Sequence, residues 1–512
     1  MMRPRVRRWC VGDAGGTLAA RLGAVAVVVA MLSACLPVPD VRVPLDIERP
    51  TYRVDPASVR IETTWFDAPS APQTPPEYDR TGVRRSFLPH DELRVIVVAV
   101  PGLLSGAASF DVWARQLVAA QAGLEVWTVD RRSNQFEDRT GIARALEAGD
   151  PSLALRYYFG DGREAAEFVP RTAAELDFMK HWGLHVHLRD LHSVVARARA
   201  TGARVVLAGH SLGAGIASVY AAFRIPSEDG GGVGGDHIDA LLLLDGTIGR
   251  TGAFGRTDRG FALFGIPIVP TIDDLLSGRS APFLTLTYGP RHFVRHAVIG
   301  VYALLDPEGT ASPSLSRFPI SNRALLGVIS DDEYSLAPAF GVSVGSAVDA
   351  RFSGNVTAFV LMGAQGARSR TVIGVAPGAE RVDWTAGDPL REFTDLASLA
   401  AVRSDPDADV NEWYFPLRLL LDLAALDPRL ADIPGFVPGV EVDVPTLAIG
   451  AARGLVQGSG GFDSYVNTRA GSPIAVTMMP GFTHSDLLLA RDNPAVSVAT
   501  RWLRGVLELP AP

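Results

Sequence analysis

The chain has 512 residues and a formal net charge of −8, with 47% hydrophobic and 20% charged residues. This size and composition allow a large hydrophobic core and two or three structural units. The acidic balance argues against a nucleic-acid partner, because such a partner usually requires a basic surface.

The N-terminus has the pattern of an export signal, in which five arginines precede an apolar stretch from Leu22 to Leu32. This stretch is shorter than the roughly 20 residues that a membrane span needs. Leu32-Ser33-Ala34-Cys35 follows and resembles the lipobox of bacterial lipoproteins. The resemblance implies an exported protein that a lipidated Cys35 holds to a membrane of the cell envelope. An ordinary signal peptide or a signal anchor is the alternative.

Six short apolar runs, each bounded by Gly or Pro, predict buried parallel strands. A seventh segment, 59–66, alternates apolar and polar residues and predicts a half-buried antiparallel strand. Segments with helical periodicity lie between these runs. This order predicts an α/β fold, with helices on both faces of a mostly parallel sheet. The apolar runs are 95–100, 126–129, 205–208, 240–244, 446–449 and 474–479, and the helical segments are 110–122, 173–200 and 212–223.

The positions of these runs divide the chain into five parts. The two stretches 83–245 and 441–512 form one α/β core of ordinary domain size. The segment between them, 246–440, is called the insert below and is predicted to cover the carboxyl edge of the sheet, where open α/β sheets bind ligands. Residues 1–34 are the predicted signal peptide, and 35–82 are a tether with N-terminal strands.

One apolar run leads into a Gly-X-Ser-X-Gly turn, Gly209-His210-Ser211-Leu212-Gly213, and a helix of small residues follows. A strand–turn–helix of this kind presents the serine Oγ at the sheet edge. The helix N-terminus there directs N–H groups toward a developing anion. The pattern predicts Ser211 as a nucleophile, and a serine that only caps the helix is the alternative.

Gly-His-Ser-Leu-Gly resembles the elbow of α/β-hydrolase esterases and lipases, and the resemblance extends over most of 83–245 and 441–512. Val100-Pro101-Gly102-Leu103-Leu104 stands where that family has its oxyanion turn. The resemblance implies that the backbone N–H groups of Leu103 and Leu212 bind the oxyanion. It also implies that His484, in the loop after the last strand, is the general base.

Two aspartates compete for the third position of the triad. In most of the family the acid follows the penultimate strand, where residues 449–454 include no carboxylate. Asp245 ends the strand before that one, and Asp463 lies farther along the loop after it. Asp245 is favoured because a strand end fixes its side chain. Both keep the chain order Ser, Asp, His.

These residues predict a serine hydrolase that cleaves carboxylic esters of a small-molecule or lipid-like acyl substrate. His484 is expected to take the Ser211 proton, and the resulting acyl-enzyme is hydrolysed by water that the same histidine activates. A peptidase, thioesterase or acyltransferase with the same triad is one alternative. A non-catalytic surface lipoprotein, which uses the fold for binding, is the other. The oligomeric state cannot be read from the sequence.

No metal or cofactor is expected. Asp405, Asp407 and Asp409 alternate as in a calcium loop. However, Val410 stands where that loop needs glycine, and no glutamate closes it. Three other charged positions are assigned structural roles: Arg131 and Arg132 in ion pairs rather than in binding an anionic substrate, and Asp486 in capping the final helix.

Overall fold

The computed structural model of the chain describes residues 48–89, 91–161, 164–246, 261–263, 266–285, 289–335, 338–353, 370–425, 443–456 and 474–509. The predicted lipidation site Cys35 and the alternative acid Asp463 lie outside the described residues. In the described ranges, no helix is both long enough and apolar enough to cross a membrane.

Within the described residues, eight strands form one sheet in the order β1-β2-β4-β3-β5-β6-β13-β14. Strand β2 is antiparallel to both of its neighbours, and the other neighbouring pairs are parallel. The described strands are β1 Arg60–Asp67, β2 Arg80–Phe87, β3 Val95–Val100, β4 Leu124–Asp130, β5 Arg204–His210, β6 Ala240–Leu244, β7 Phe261–Leu263, β8 Ile266–Val269, β9 Ser346–Val348, β10 Ala350–Phe352, β11 Val372–Val375, β12 Asp383–Thr385, β13 Thr446–Ala451 and β14 Ile474–Met479.

Helices cover both faces of this sheet, as predicted. Successive side chains of a strand point to opposite faces, and β3 shows the consequence. Val95 and Val97 pack with helices α1 and α12, whereas Ile96 and Val98 pack with α4 and α5. The described helices are α1 Asp111–Ala120, α2 Thr140–Ala148, α3 Pro151–Phe159, α4 Leu184–Ala200, α5 Leu212–Ala221, α6 Ile272–Leu276, α7 Pro290–Leu305, α8 Asn322–Ser330, α9 Leu396–Arg403, α10 Leu417–Ala425, α11 Asp486–Leu489 and α12 Pro494–Leu507.

Each of the six apolar runs and the alternating segment is a strand, so these predictions are confirmed. The predicted helix 173–200 is wrong in its first part, because α4 begins only at Leu184. The Asp422 carboxylate accepts a hydrogen bond from the Leu184 backbone N–H (2.9 Å) and thereby caps the helix at that point.

Strand β2 was not predicted, because it contains three arginines and lacks an apolar run. Its Arg84 is nevertheless buried, and the guanidinium donates two hydrogen bonds to the Asp111 carboxylate (2.8 and 2.7 Å). Buried charges are tolerated where they are paired and hydrogen-bonded. The ion pair therefore explains how a charged segment occupies a position inside the sheet.

The described parts of the insert supply α6 to α10 and three two-stranded sheets. Helices α7, α8 and α9 share a hydrophobic core that includes Val294, Val298 and Trp384. Two helices from the 83–245 segment join that core, since Ile142 of α2 and Tyr158 of α3 pack into it. The helical layer that contains the insert therefore also includes α2 and α3, which precede the insert in the sequence.

Candidate active site

Ser211 lies in the tight turn between β5 and α5. Its φ of 58° and ψ of −125° place a non-glycine residue in a strained backbone region. The Ser211 backbone N–H donates to the Leu244 carbonyl at the end of β6 (2.9 Å), which fixes the turn to the neighbouring strand. Strain at a serine that a rigid sheet holds in place is the geometry of a nucleophile elbow.

The two glycines of the turn permit the close crossing of strand and helix. A Cβ at Gly209 would lie 2.2 Å from the carbonyl oxygen of Gly213, and a Cβ at Gly213 would lie 2.0 Å from that of Val100. Both separations are far below van der Waals contact. Any side chain at these positions would therefore force β5, α5 and the end of β3 apart.

Asp245 and His484 are in direct contact. The Asp245 Oδ2 atom lies 2.6 Å from His484 Nδ1, and both side chains are buried. His484 occupies the loop after β14, and Asp245 directly follows β6. The structure therefore brings together the favoured acid and the predicted base at the carboxyl edge of the parallel strands, beside the Ser211 turn.

These three residues follow β5, β6 and β14 in the chain order Ser, Asp, His on a mostly parallel sheet with helices on both faces. The chain has the α/β-hydrolase fold. Within this hydrolase fold the aspartate follows β6, one strand earlier than the penultimate strand β13.

Comparisons with known proteins find solved structures that resemble this chain at low sequence identity. No family model matches the chain, and no curated protein matches it. Among solved structures, a candidate lipase from Sulfolobus solfataricus is 17% identical with a TM-score of 0.48, over 90% of this chain and 97% of that one. A soluble variant of monoglyceride lipase from Saccharomyces cerevisiae is 10% identical with a TM-score of 0.37, over 89% and 99% of the two chains. An epoxide hydrolase from an endophytic Streptomyces is 16% identical with a TM-score of 0.38, over 88% and 97%.

The Asp245 carboxylate is fully buried and accepts four hydrogen bonds. Besides the bond from His484, the backbone N–H groups of Ala451 (3.0 Å), Leu455 (2.8 Å) and Val456 (3.0 Å) donate to it. Burial acts to raise the pKa of Asp245, but these hydrogen bonds and the nearby His484 lower it below the ordinary value. The Asp245 carboxylate is therefore ionised at neutral pH, and it is oriented toward Nδ1 of His484.

Two rings and two backbone hydrogen bonds hold His484. The His210 ring lies 4.1 Å away and the Phe340 ring 5.2 Å away, between centroids. The His484 N–H donates to the Ala339 carbonyl (2.9 Å), and His210 Nε2 lies 3.0 Å from the His484 carbonyl oxygen. Burial, followed by the proximity of His484, lowers the pKa of His210 to about 3, so His210 stays neutral. The neutral His210 ring therefore helps to orient the predicted base, His484, without competing for its proton.

The predicted oxyanion turn lies against the nucleophile. A Cβ at Gly102 would lie 2.9 Å from the Ser211 Cβ and 3.4 Å from its Oγ. The Gly102 carbonyl accepts a hydrogen bond from Arg131 Nη2 (3.1 Å). Because the C=O and N–H of a trans peptide point in opposite directions, the Leu103 N–H points away from Arg131. The second predicted donor, the Leu212 N–H, belongs to the first residue of α5, where a backbone N–H has no intrahelical carbonyl to bind.

Arg131 links this turn to the insert. Its guanidinium donates to the carbonyls of Pro101, Gly102 and Ser105, and it forms a buried ion pair with Glu412 of the insert (2.5 Å). The prediction of a structural ion pair is thus confirmed for Arg131. What the sequence did not show is that Arg131, while it pairs with Glu412, also binds two carbonyls of the oxyanion turn, because Glu412 lies 281 residues away.

Replacing Arg131 with Met is expected to lower kcat by up to about 10²-fold, with a smaller change in KM, because the Leu103 donor would lose its fixed orientation. Steady-state kinetics on a chromogenic ester would measure this. Arg132→Met is the matched control, since Arg132 is equally buried but pairs with Asp79 and Asp190. Equal losses of kcat in both variants would show that Arg131 matters only for folding.

Ser211 and His484 line one cavity of about 310 Å³. Its described wall is largely apolar on the side of the oxyanion turn and of the helix after His484, where Leu103, Leu104, Leu488 and Leu489 face it. The insert supplies both apolar residues, such as Phe293 and Leu399, and polar residues, such as His292 and Arg403, to the rest of the wall. A cavity of this volume lies at the lower end of the range for small-molecule sites.

Two aspartates of the calcium-like segment, Asp405 and Asp409, form ion pairs. Asp405 pairs with Arg84, and Asp409 pairs with Arg139 (both 2.6 Å). In the described part of the chain, no cluster of three or more His, Cys, Asp or Glu side chains is arranged to hold a metal ion.

The prediction that Asp486 caps the final helix is wrong. That helix, α12, begins after Asn493, whose side chain accepts from the Ala495 N–H (2.9 Å). Asp486 begins the short helix α11 instead. Its carboxylate accepts from the Ser343 N–H (3.0 Å) and from the Thr394 hydroxyl (2.8 Å), and these contacts tie the His484 loop to the insert.

Proposed function

We propose that the protein is a serine hydrolase that cleaves carboxylic esters through an acyl-enzyme on Ser211. The observation that carries the proposal is the His484–Asp245 pair, whose histidine lines one cavity with a serine held at positive φ. A serine nucleophile requires a base and a group that orients the base. Structural turns rarely combine all three features.

In the proposed reaction, Ser211 Oγ attacks the ester carbonyl carbon while its proton passes to His484 Nε2. The buried Asp245 carboxylate holds the imidazole through Nδ1 and stabilises the imidazolium. The N–H groups of Leu103 and Leu212 hold the oxyanion. Collapse of the tetrahedral intermediate expels the alcohol, which takes the proton from His484. Water then attacks the acyl carbon while its proton passes to His484. Collapse of this second intermediate releases the carboxylic acid, and Ser211 Oγ takes the proton back from His484.

The cavity favours a small ester over a polypeptide. Its volume of about 310 Å³ fits a small molecule, and an apolar wall beside the nucleophile fits an acyl chain. We therefore expect esters of short acyl chains to be hydrolysed faster than long-chain lipids. Hydrolysis of p-nitrophenyl esters of increasing chain length would measure the preference.

A fluorophosphonate probe tests the proposal directly, because an activated serine attacks its phosphorus, displaces fluoride and becomes covalently phosphonylated. The intact protein is expected to be labelled at Ser211, as identified by mass spectrometry of the labelled peptide. Absence of labelling in a folded protein that also hydrolyses no ester would overturn the proposal. The non-catalytic interpretation, a binding protein with this fold, would then be correct.

We propose in addition that the protein is exported and anchored to a bacterial membrane through Cys35. In a bacterial host fed radiolabelled palmitate, the full chain is expected to carry the label and to sediment with membranes. Cys35→Ala should lose the label and move to the soluble fraction. Cys10→Ala is the matched control, because the chain has only these two cysteines. Label that persists in Cys35→Ala would refute the anchor.

A further inference from the structure

The insert places basic side chains in the wall of the catalytic cavity. His292 and His296 lie one turn apart on α7, and Arg403 ends the neighbouring helix α9. No Asp or Glu is present among the described residues that line the cavity. The polar part of this wall is therefore positive or neutral.

The Arg403 guanidinium lacks a partner in the described structure. Its Nε and Nη1 atoms are buried and form no hydrogen bond. Asp409 acts on Arg403 electrostatically, but its carboxylate is already occupied. The Asp409 oxygens accept from Arg139 Nη1 (2.6 Å), Trp413 Nε1 (2.8 Å) and the Asn411 N–H (3.1 Å).

Leaving a buried charge unpaired is costly, so such charges are normally paired. Burial lowers the pKa of Arg403, yet an arginine guanidinium remains protonated in proteins. Burial also lowers the pKa values of His292 and His296, so these rings are neutral at neutral pH. Arg403 thus supplies the positive charge of the insert wall at neutral pH.

Two further donors face the same cavity without a partner. The Asn411 Nδ2 and Ser109 Oγ atoms are buried and form no hydrogen bond. Asn411 lies in the insert segment that pairs with the oxyanion turn, through a bridge to Ser105. A guanidinium, an amide and a hydroxyl without acceptors form a set of donors that matches a carboxylate or a phosphate group.

We propose that the cavity binds esters carrying an anionic group, a carboxylate or a phosphate, which Arg403 holds together with Asn411 and Ser109 while Ser211 attacks the ester carbonyl. This inference rests on the proposed function, since it assigns a substrate class to the same site. The apolar residues beside Ser211 would contact the hydrocarbon segment that joins the ester group of the substrate to its anionic group. The anion would then offset the cost of burying Arg403.

The kinetic test compares three p-nitrophenyl esters: hemiglutarate, 4-phosphonobutyrate and the neutral hexanoate. The two anionic esters separate a carboxylate from a phosphate preference. For the preferred anion, Arg403→Met is expected to lower the ratio of kcat/KM for the anionic ester to that for hexanoate by about 10- to 100-fold, as for a lost hydrogen bond to a charged group. Arg403→Lys should recover part of the ratio.

Arg295→Met is the matched control. Arg295 lies on α7 and is half-buried, but its guanidinium donates to the Leu315 carbonyl (2.7 Å) and does not line the cavity. Its substitution should leave the ratio unchanged. If Arg403→Met also leaves the ratio unchanged, or if the wild-type enzyme prefers hexanoate to both anionic esters, the proposal is overturned.

A binding measurement keeps this inference separate from the proposed function. Ser211→Ala, which cannot turn over an ester, is titrated with glutarate and with inorganic phosphate by calorimetry. Binding of one anion that Arg403→Met abolishes in this background supports the subsite even if no ester is hydrolysed. Absence of binding by both anions, in a protein that hydrolyses hexanoate through Ser211, would refute the subsite and leave the hydrolase intact.

If Arg403→Met does not fold, competitive inhibition of wild-type hexanoate hydrolysis by either anion, but not by neutral glutaramide, provides the same test.

Discussion

Ser211→Ala is expected to reduce kcat for a chromogenic short-chain ester by about 10⁶-fold, as for serine hydrolases that lose the nucleophile. The expected size of the effect follows from the mechanism, because no acyl-enzyme can form. Binding and the oxyanion donors would leave only a small residual rate above that in water. The measurement is steady-state kinetics, with fluorophosphonate labelling of the same samples.

Ser218→Ala is a suitable control for this experiment. Ser218 lies on the same helix α5 and is buried, but it does not line the cavity. Its loss should leave kcat within about threefold, as expected of a site remote from the chemistry. If Ser211→Ala retained more than about a tenth of the wild-type rate, the activity would come from another residue, because a true nucleophile contributes far more.

Asp245→Asn is expected to lower kcat by about 10⁴-fold. An amide nitrogen opposite Nδ1 would leave the proton of His484 on Nε2, where the ring can no longer accept the Ser211 proton. If the amide turned the other way, its nitrogen would instead face the N–H groups of Ala451 and Val456. Each buried donor left without an acceptor costs about 1–3 kcal/mol, so the variant should also be less stable.

Asp463→Asn is the comparison that decides between the two candidate acids. A 10⁴-fold loss at Asp245, with little change at Asp463, is the expected pattern. The reverse pattern would assign the catalytic acid to Asp463 and leave Asp245 with a structural role only. Equal and large losses at both positions would show that neither acts alone.

The stability difference between the wild type and Asp245→Asn is expected to depend on pH, and the sign of this dependence follows from the pKa of Asp245. The lowered pKa of Asp245 means that its ionised form stabilises the folded state. This contribution is present above the ordinary aspartate pKa of about 4 and is lost as the pH falls through the folded-state value. The difference in free energy of unfolding between wild type and Asp245→Asn should therefore shrink in acid. If this difference in unfolding free energy stayed constant down to pH 3, the prediction would be wrong.

The parts of the molecule that the sequence predicted are those that local patterns encode. Buried parallel strands must be apolar on both faces, so β3 and β5 are evident as runs of Val, Ile, Leu and Ala. The Ser211 turn depends on five consecutive residues, and His484 follows the last strand. Asp245 was favoured over Asp463 because it ends a strand, and its contact with His484 agrees with that reasoning.

The parts that were missed depend on residues far apart in the chain. Strand β2 is buried because Arg84 meets Asp111, and no local pattern encodes that pairing. Arg131 reaches Glu412 across 281 residues. The insert has strands of only three or four residues in its described part, too short for hydrophobic periodicity to reveal. Its contribution to the cavity could therefore be found only from the folded chain.

The segment of the insert around Glu412 has a consequence for engineering. The Glu412 N–H donates to the Leu104 carbonyl (3.0 Å), the Gly106 N–H donates to Val410 (3.0 Å), and Arg131 pairs with Glu412. The insert therefore supplies one side of the scaffold on which the oxyanion donors rest. We expect a shortened protein without it to lose the proposed catalytic geometry, and chimaeras that exchange this layer would need to retain the strip 409–412. In hydrogen exchange, the strip and the oxyanion turn should open together as one cooperative unit.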